Sequence, residues 1–212
     1  GFYGGSGGGN GYGPGKGEFA YATAVGAGHG GDGTANFSDG TSAGPGGGAY
    51  CDVSNPGTLG SGGSSGVFDG ATGRPGGSGG GLVWLMASSS INLNGDIFAD
   101  GEDGSYDFYT GDITFESISG AGAGGGVKIY APAIEGHGEI FARGGDNGVD
   151  PDPEPSPYGG GAGGCVLLDY VRTNQVVTSS IHIAGGGLDP GSAEDGQLNT
   201  IKENEAPELF LN

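Results

Sequence analysis

The sequence predicts an all-β chain, a right-handed parallel β-helix (β-solenoid) with long glycine-rich loops or polyglycine-like segments and an extended C-terminal tail. Three observations predict it. Glycine supplies 56 of the 212 residues, yet it alternates with compact apolar runs such as Leu82–Met86, Val127–Tyr130 and Cys165–Leu168. The alanines that close the second strand of each copy, Ala99, Ala142 and Ala184, are 43 and 42 residues apart, the signature of a repeat architecture. Helices are improbable, because apolar residues do not return every three or four positions and glycine interrupts every window.

The repeats share one plan: a glycine cluster, an apolar strand, a turn, a second strand ending in alanine, and an acidic glycine turn. The first copy runs through Gly79–Met86, Ile91–Leu93 and Gly95–Gly104. The second runs through Gly124–Tyr130, Ile134 and Gly138–Gly148, and the third through Gly163–Leu168 and Ile181–Gly186. The second-strand words Asp96-Ile97-Phe98-Ala99 and Glu139-Ile140-Phe141-Ala142 are nearly the same. Stacked copies would lay Ile97 over Ile140 and Phe98 over Phe141, with parallel backbone bonding between them. Residues 18–33 read as a worn additional copy. The glycine stretches between strands suit wide loops, or polyproline-II-like rods packed side by side where missing Cβ atoms allow close contact. Handedness rests on the general bias of parallel crossovers.

Three segments follow: an N-terminal glycine-rich piece over 1–17, the repeats over 18–200, and a tail over 201–212. The insert at 150–157 alternates acid or serine with proline, which removes amide donors and stiffens an exposed loop. The tail contains no glycine and closes on Leu209, Phe210 and Leu211. An apolar triplet of this kind must dock, either on its own body or on the next subunit as an added strand. Phe2 and Tyr3 are candidate anchors at the other end, or a frayed terminus.

The formal net charge is −19, with only six lysines and arginines. Such a field repels nucleic acid and anionic lipid, and no stretch reaches the roughly 20 apolar residues needed to cross a bilayer. With no apolar leader and a start at Gly1, a processed or trimmed product is expected. Two cysteines, Cys51 and Cys165, permit one disulfide or stand as two buried thiols. Asn36 heads a glycosylation sequon with Phe37 and Ser38.

Calcium is the one cofactor the sequence suggests. Asp100, Glu102 and Asp103, with Asp146, Asp150 and Asp152, place hard oxygen ligands on glycine turns, although neither stretch has the EF-hand order. Most such acids are solvated turn residues. The histidines His29, His137 and His182 are scattered and form no zinc pattern. Enzymatic function is not expected: phosphate-loop patterns arise here only because glycine is everywhere, and six scattered cations oppose lyase chemistry on uronates. Tyr106, Phe108 and Tyr109, in a loop between the first two copies, with Tyr50 and Tyr158, suit sugar stacking or burial against the flank. The regular threonine ladder of an ice-binding face is not seen.

The run from Gly79 through Leu93-Asn94-Gly95-Asp96-Ile97-Phe98-Ala99-Asp100-Gly101 resembles the glycine-rich parallel β-helix repeats of large secreted or surface proteins of protists and some bacteria. Gly26–Gly31, carrying His29, resembles a turn found just upstream of those repeats. The resemblance covers roughly residues 18–200 and fails at the 150–157 insert and after Thr200. It implies a secreted, extracellular or cell-surface setting and brings no catalytic residue. The expected function is a structural protein that self-assembles head-to-tail into a filament or surface layer through its terminal segments. A cell-surface adhesin or carbohydrate-binding module is the alternative, with glycans as its partners.

Overall fold

The computed structural model describes residues 1–19, 23–37, 42–66, 73–110, 114–146, 159–174, 180–187 and 193–203. Their strands, in chain order, are β1 (Thr23–Val25), β2 (Thr34–Phe37), β3 (Ser42–Pro45), β4 (Leu82–Met86), β5 (Ser90–Leu93), β6 (Ile97–Phe98) and β7 (Tyr106–Thr110). They continue as β8 (Thr114–Ile118), β9 (Gly126–Gly136), β10 (Ile140–Phe141), β11 (Cys165–Asn174), β12 (Ile181–His182) and β13 (Gln197–Lys202).

Two sheets are parallel. The larger has the order β13-β11-β9-β4, with β5 also on β9; the smaller has the order β12-β10-β6. Their registers align the repeats. Val83 pairs with Val127, Val127 with Val166, and Val166 with Leu198. Leu85, Ile129, Leu168 and Thr200 form a second row. In the small sheet Ile97, Ile140 and Ile181 align, and beside them Phe98, Phe141 and His182. The two sheets share one core, in which Val127, Ile129, Ile134, Ile140, Val166 and Leu168 are fully buried. Branched residues fill it because they pack well on a pleated surface.

The solenoid expectation is corrected here. Among the described residues no β-helix winds and no sheet closes. The remaining sheets are antiparallel: β1-β2-β3, and the hairpin β7–β8. The stretch read as a worn repeat copy supplies β1, which pairs antiparallel with β2 and joins neither parallel sheet.

The physical reason lies in the glycine segments, which are extended rods rather than coil walls. In a solenoid each segment bonds only to its equivalents above and below. The stretch 119–125 bonds in three directions instead. Ser119, Gly122 and Gly125 donate to the carbonyls of Ser105, Glu102 and Ala99. Gly120 and Ala123 donate to Ser64 and Ser61, while Ala121 and Gly124 donate to Gly159 and Ala162. A period of three residues is that of a polyproline-II helix, which has no internal hydrogen bonds and offers its amides outward. The stretch 60–66 does the same. Gly60, Gly63 and Gly66 donate to Gly80, Gly77 and Arg74, and Gly62 and Ser65 donate to Tyr12 and Gly9. Residues 1–17 belong to this bundle, for Phe2 and Gly5 donate to Gly60 and Gly63. At the other boundary β13 runs on through Ile201 and Lys202, two residues into the expected tail.

Glycine is needed here mainly for approach, not for unusual φ. A Cβ at Gly122 would land on the Ser78 carbonyl, and one at Gly120 on that of Val25, each well under 3.0 Å. Gly136, the last residue of β9, is one of the few at positive φ (112°). Where a side chain is admitted it is small: Ala121, Ala123, Ser61 and Ser64 are fully buried. The serine hydroxyls accept leftover amides, Val25 N–H on Ser64 Oγ at 3.0 Å and Gly15 N–H on Ser61 Oγ at 3.1 Å.

Cys51 and Cys165 form a disulfide with Cα atoms 6.5 Å apart across a sequence separation of 114. It ties the segment after β3 to the first residue of β11.

Two predictions follow from this packing. Gly122→Ala is expected to cost about 3 kcal/mol, because backbone cannot yield to the added methyl. Gly95→Ala, with nothing within 4 Å of its Cβ, is expected to be near neutral in the same urea titration; equal losses would refute the close-packed rods. Replacing Cys51 and Cys165 together by serine is expected to cost about 4 kcal/mol through the long loop released, read as a lowered unfolding midpoint.

Candidate functional site

Sequence reasoning placed acids on the glycine turns and offered them as candidate calcium ligands beside solvated turn residues. The structure gives several of them another task. Asp96, Asp100 and Asp103 each accept, through Oδ1, the backbone N–H of the residue one repeat on: Glu139 at 3.0 Å, Arg143 at 2.7 Å and Asp146 at 2.8 Å. Asp146 passes the pattern forward, accepting from Gly187 N–H at 2.9 Å. A short carboxylate therefore finishes the backbone bonding between neighbouring rungs, and such charge-assisted bonds are stronger than neutral ones.

Asp100, Asp103 and Asp146, with Arg143, line a groove of about 370 Å³ whose floor is Gly101, Gly144 and Ala184–Gly186. Arg143 closes it electrostatically. Its guanidinium meets Asp100 through Nη2–Oδ2 at 2.7 Å and Nε–Oδ1 at 3.3 Å, and lies 4.9 Å from the Phe141 ring centre. The Asp100 bond, ahead of the charges of Asp146 and Asp103, raises the Arg143 pKa above its ordinary value. Glu102 stands apart, accepting from Ser78 N–H at 3.1 Å. Asp150 and Asp152 lie outside the described residues. Among the described residues no group of three or more His, Cys, Asp or Glu side chains is arranged to hold a metal ion.

Beside the groove runs a ladder of rings. Phe98 stacks on Phe141 with centres 4.9 Å apart and planes 7° off parallel, and Phe141 stacks on His182 at 4.5 Å and 8°. His182 also faces Glu139 at 3.7 Å. The ladder ends in the open at Phe98, which is 63% exposed. Trp84 (58%) and Met86 (65%), with Leu82, are also exposed along β4, the edge strand of the larger sheet. Lys128 reaches over the Trp84 ring from the next strand, 5.2 Å from its centre. Strands β4 and β6 both come from the first repeat copy, so both parallel sheets end at the same copy. The alternation in Leu82–Met86 was visible in the sequence; that no strand among the described residues covers it was not.

The other expected site residues are dispersed. Phe2 is partly buried with its ring against Gly13, inside its own bundle, while Tyr3 is 78% exposed. Tyr106, Phe108 and Tyr109 lie on strand β7, not in a loop. Asn36 lies on β2, the central strand of its antiparallel sheet. Tyr158, Leu209, Phe210 and Leu211 fall outside the described residues.

One group read in the sequence only as a scattered histidine in a glycine turn is buried. His29 is fully buried, with Nε2 2.8 Å from Thr58 Oγ1, its ring against Tyr50 and no hydrogen-bond partner for Nδ1. Its carbonyl accepts both Tyr50 N–H and Cys51 N–H, next to the disulfide. Tyr50 O–H donates to the Leu59 carbonyl and accepts from Ser61 at 2.9 Å. Burial pushes the Tyr50 hydroxyl up to about 12.

Burial lowers the His29 pKa to about 4, against a smaller opposite pull from the Gly124 and Gly125 backbone. The unfolded chain therefore takes up a proton that the folded chain resists. Stability from the neutral ring is complete above about pH 6.5 and is lost as pH falls toward 4, by up to about 3 kcal/mol. His29→Gln is expected to flatten that stretch of the stability–pH curve; an unchanged slope in the variant would show that the ring does not carry it. No family model, no curated protein and no solved structure matches the chain.

Proposed function

We propose that the protein is a non-catalytic, extracellular structural subunit that self-associates head-to-tail through its open end and its C-terminal segment. The observation that carries this reading is the undefended edge. Monomeric β proteins blunt edge strands with charge, proline or a covering element. Strand β4, Leu82-Val83-Trp84-Leu85-Met86, has no charge and no proline, and stands at a sheet edge with Trp84 and Met86 largely exposed. The tail residues Leu209, Phe210 and Leu211 are the matching apolar segment. A contact between unlike ends does not close on itself and so yields a filament. The disulfide between Cys51 and Cys165 accords with an oxidising, extracellular setting.

A second reading, a glycan-binding surface module, draws on the ring ladder. Phe98, at the end of the ladder, is 63% exposed, and a flat aromatic face suits sugar stacking. Binding on a glycan array by a chain that stays monomeric would favour this reading over assembly.

Assembly has an electrostatic signature. Two copies of charge −19 repel, and salt screens that repulsion, with a Debye length near 10 Å at 0.1 M. Light scattering is expected to show monomers in very low salt and growing polymers above roughly 0.15 M, visible as filaments in the electron microscope. The chain truncated after Glu203 is expected to remain monomeric throughout. A full-length chain that stays monomeric at every salt concentration would refute the proposal.

A further inference from the structure

The joints between rungs inside the chain show what the open end, at β4 and β6, is shaped to receive. In the larger sheet a glycine stands just before each aligned strand: Gly81 before β4, Gly125 before β9, Gly164 before β11 and Gly196 before β13. Each is approached by the rung before it. A Cβ on Gly196 would strike the Gly164 carbonyl, one on Gly164 the Gly125 carbonyl, and one on Gly125 the Gly81 carbonyl. Gly81 begins this row, and nothing lies within 4 Å of its Cβ position. The smaller sheet repeats the pattern. A Cβ on Gly138, ahead of β10, would strike the Gly95 carbonyl, whereas Gly95, ahead of β6, has nothing within 4 Å.

The hydrogen bonds stop at the same place. Ile97, Ala99, Gly101 and Gly104 donate to the carbonyls of Glu139, Phe141, Arg143 and Asp146 in the second rung. The second rung donates back: the amides of Glu139, Arg143 and Asp146 go to the carboxylates of Asp96, Asp100 and Asp103. In the first rung the amides of Asp96, Asp100 and Asp103 hold the corresponding places. No group among the described residues accepts them. Asp96, Phe98 and Asp103 are exposed.

We infer that the first rung is a docking site for a further rung of its own kind, carried on another polypeptide. Two marks define the occupant. Its backbone carbonyls fill the spaces over Gly81 and Gly95, as the carbonyls of those glycines fill the spaces over Gly125 and Gly138. Its short carboxylates accept the amides of Asp96, Asp100 and Asp103 in charge-assisted bonds. The first copy has the side chains this needs, in Asp96, Asp100 and Asp103 themselves. The third copy does not, having no acid between Ile181 and Gly187. Docking also pairs the evenly spaced backbone groups of the β4 edge and takes the exposed Trp84, Met86 and Phe98 out of water. An unrelated extended peptide would pair with the edge but would not require glycine at 81 and 95. Repeat proteins close an array with a polar capping repeat, and the first rung is not one. The inference goes beyond the assembly reading, because it states what the open end accepts.

The probe is a dye-labelled synthetic peptide of residues 79–104, followed by fluorescence anisotropy in roughly 0.5 M salt to screen the charge. It is expected to bind, and to slow hydrogen exchange at the amides of Asp96, Phe98, Asp100 and Asp103 by about 100-fold. Gly81→Ala and Gly95→Ala in the protein are each expected to leave its urea midpoint unchanged. Each should still weaken peptide binding by about tenfold, because the added methyl occupies the place of the incoming carbonyl. A peptide carrying Asp96→Ala, Asp100→Ala and Asp103→Ala is expected to bind about tenfold more weakly. The corresponding asparagine peptide, which still offers an acceptor, should keep most of the affinity. Glycine variants that bind as well as the parent, or an alanine peptide that binds undiminished, would overturn the docking site. So would first-rung amides already as protected in the free chain as those of β9. Salt-driven polymers without peptide binding would remove this inference and leave the assembly reading standing. Peptide binding by a chain that never polymerises would do the reverse.

Discussion

The whole molecule depends on one constraint: extended glycine rods must approach closely enough for every outward amide to reach a neighbour's carbonyl. A polyproline-II segment has no hydrogen bonds of its own. Buried without partners, its amides would cost more than folding can recover. Partners at three successive angles exist only inside a bundle, and a bundle that tight leaves no room for Cβ atoms. Glycine loses the most entropy on ordering, so such a sequence folds only where the backbone is fully used. The segments 62–66 and 119–125 show that use in successive amides.

The parallel sheets stand on this bundle rather than enclosing it. Each apolar strand leaves a rod, pairs with its counterparts, and places its branched residues in the common core. The aspartates of the glycine turns finish the joints from rung to rung. What results is a parallel stack whose β4 and β6 edges no strand among the described residues covers. Under the assembly proposed above, the net charge of −19 would keep separate copies apart until salt screens it.

Much of the sheet architecture was legible in the sequence. The near-identical words around Ile97 and Ile140 named their own partners, and the observed registers set Ile97 beside Ile140 and Phe98 beside Phe141. The winding was not legible. A side chain declares which way its strand faces, but glycine declares nothing, so the direction of each rod's hydrogen bonds could not be read. The same silence hid the antiparallel pairing of β1 in what resembled a repeat copy, and it left loop and rod as open alternatives. The acids illustrate a different limit. Asp100, Asp103 and Asp146 do converge on one groove, but an aspartate that accepts a backbone amide from the next rung looks, in sequence, like one that awaits a cation. His29 was undervalued because nothing adjacent to it in sequence foretells Thr58 and Tyr50 as its neighbours.

Amide hydrogen exchange tests the central claim most directly. If the rods are a hydrogen-bonded bundle, consecutive amides from Gly120 to Gly125 should exchange as slowly as those of β9 and β11, with no alternation between fast and slow positions. Exchange across that stretch at the rate of an open loop, while β9 and β11 stay protected, would show that the glycine segments are mere connections and that the account is wrong.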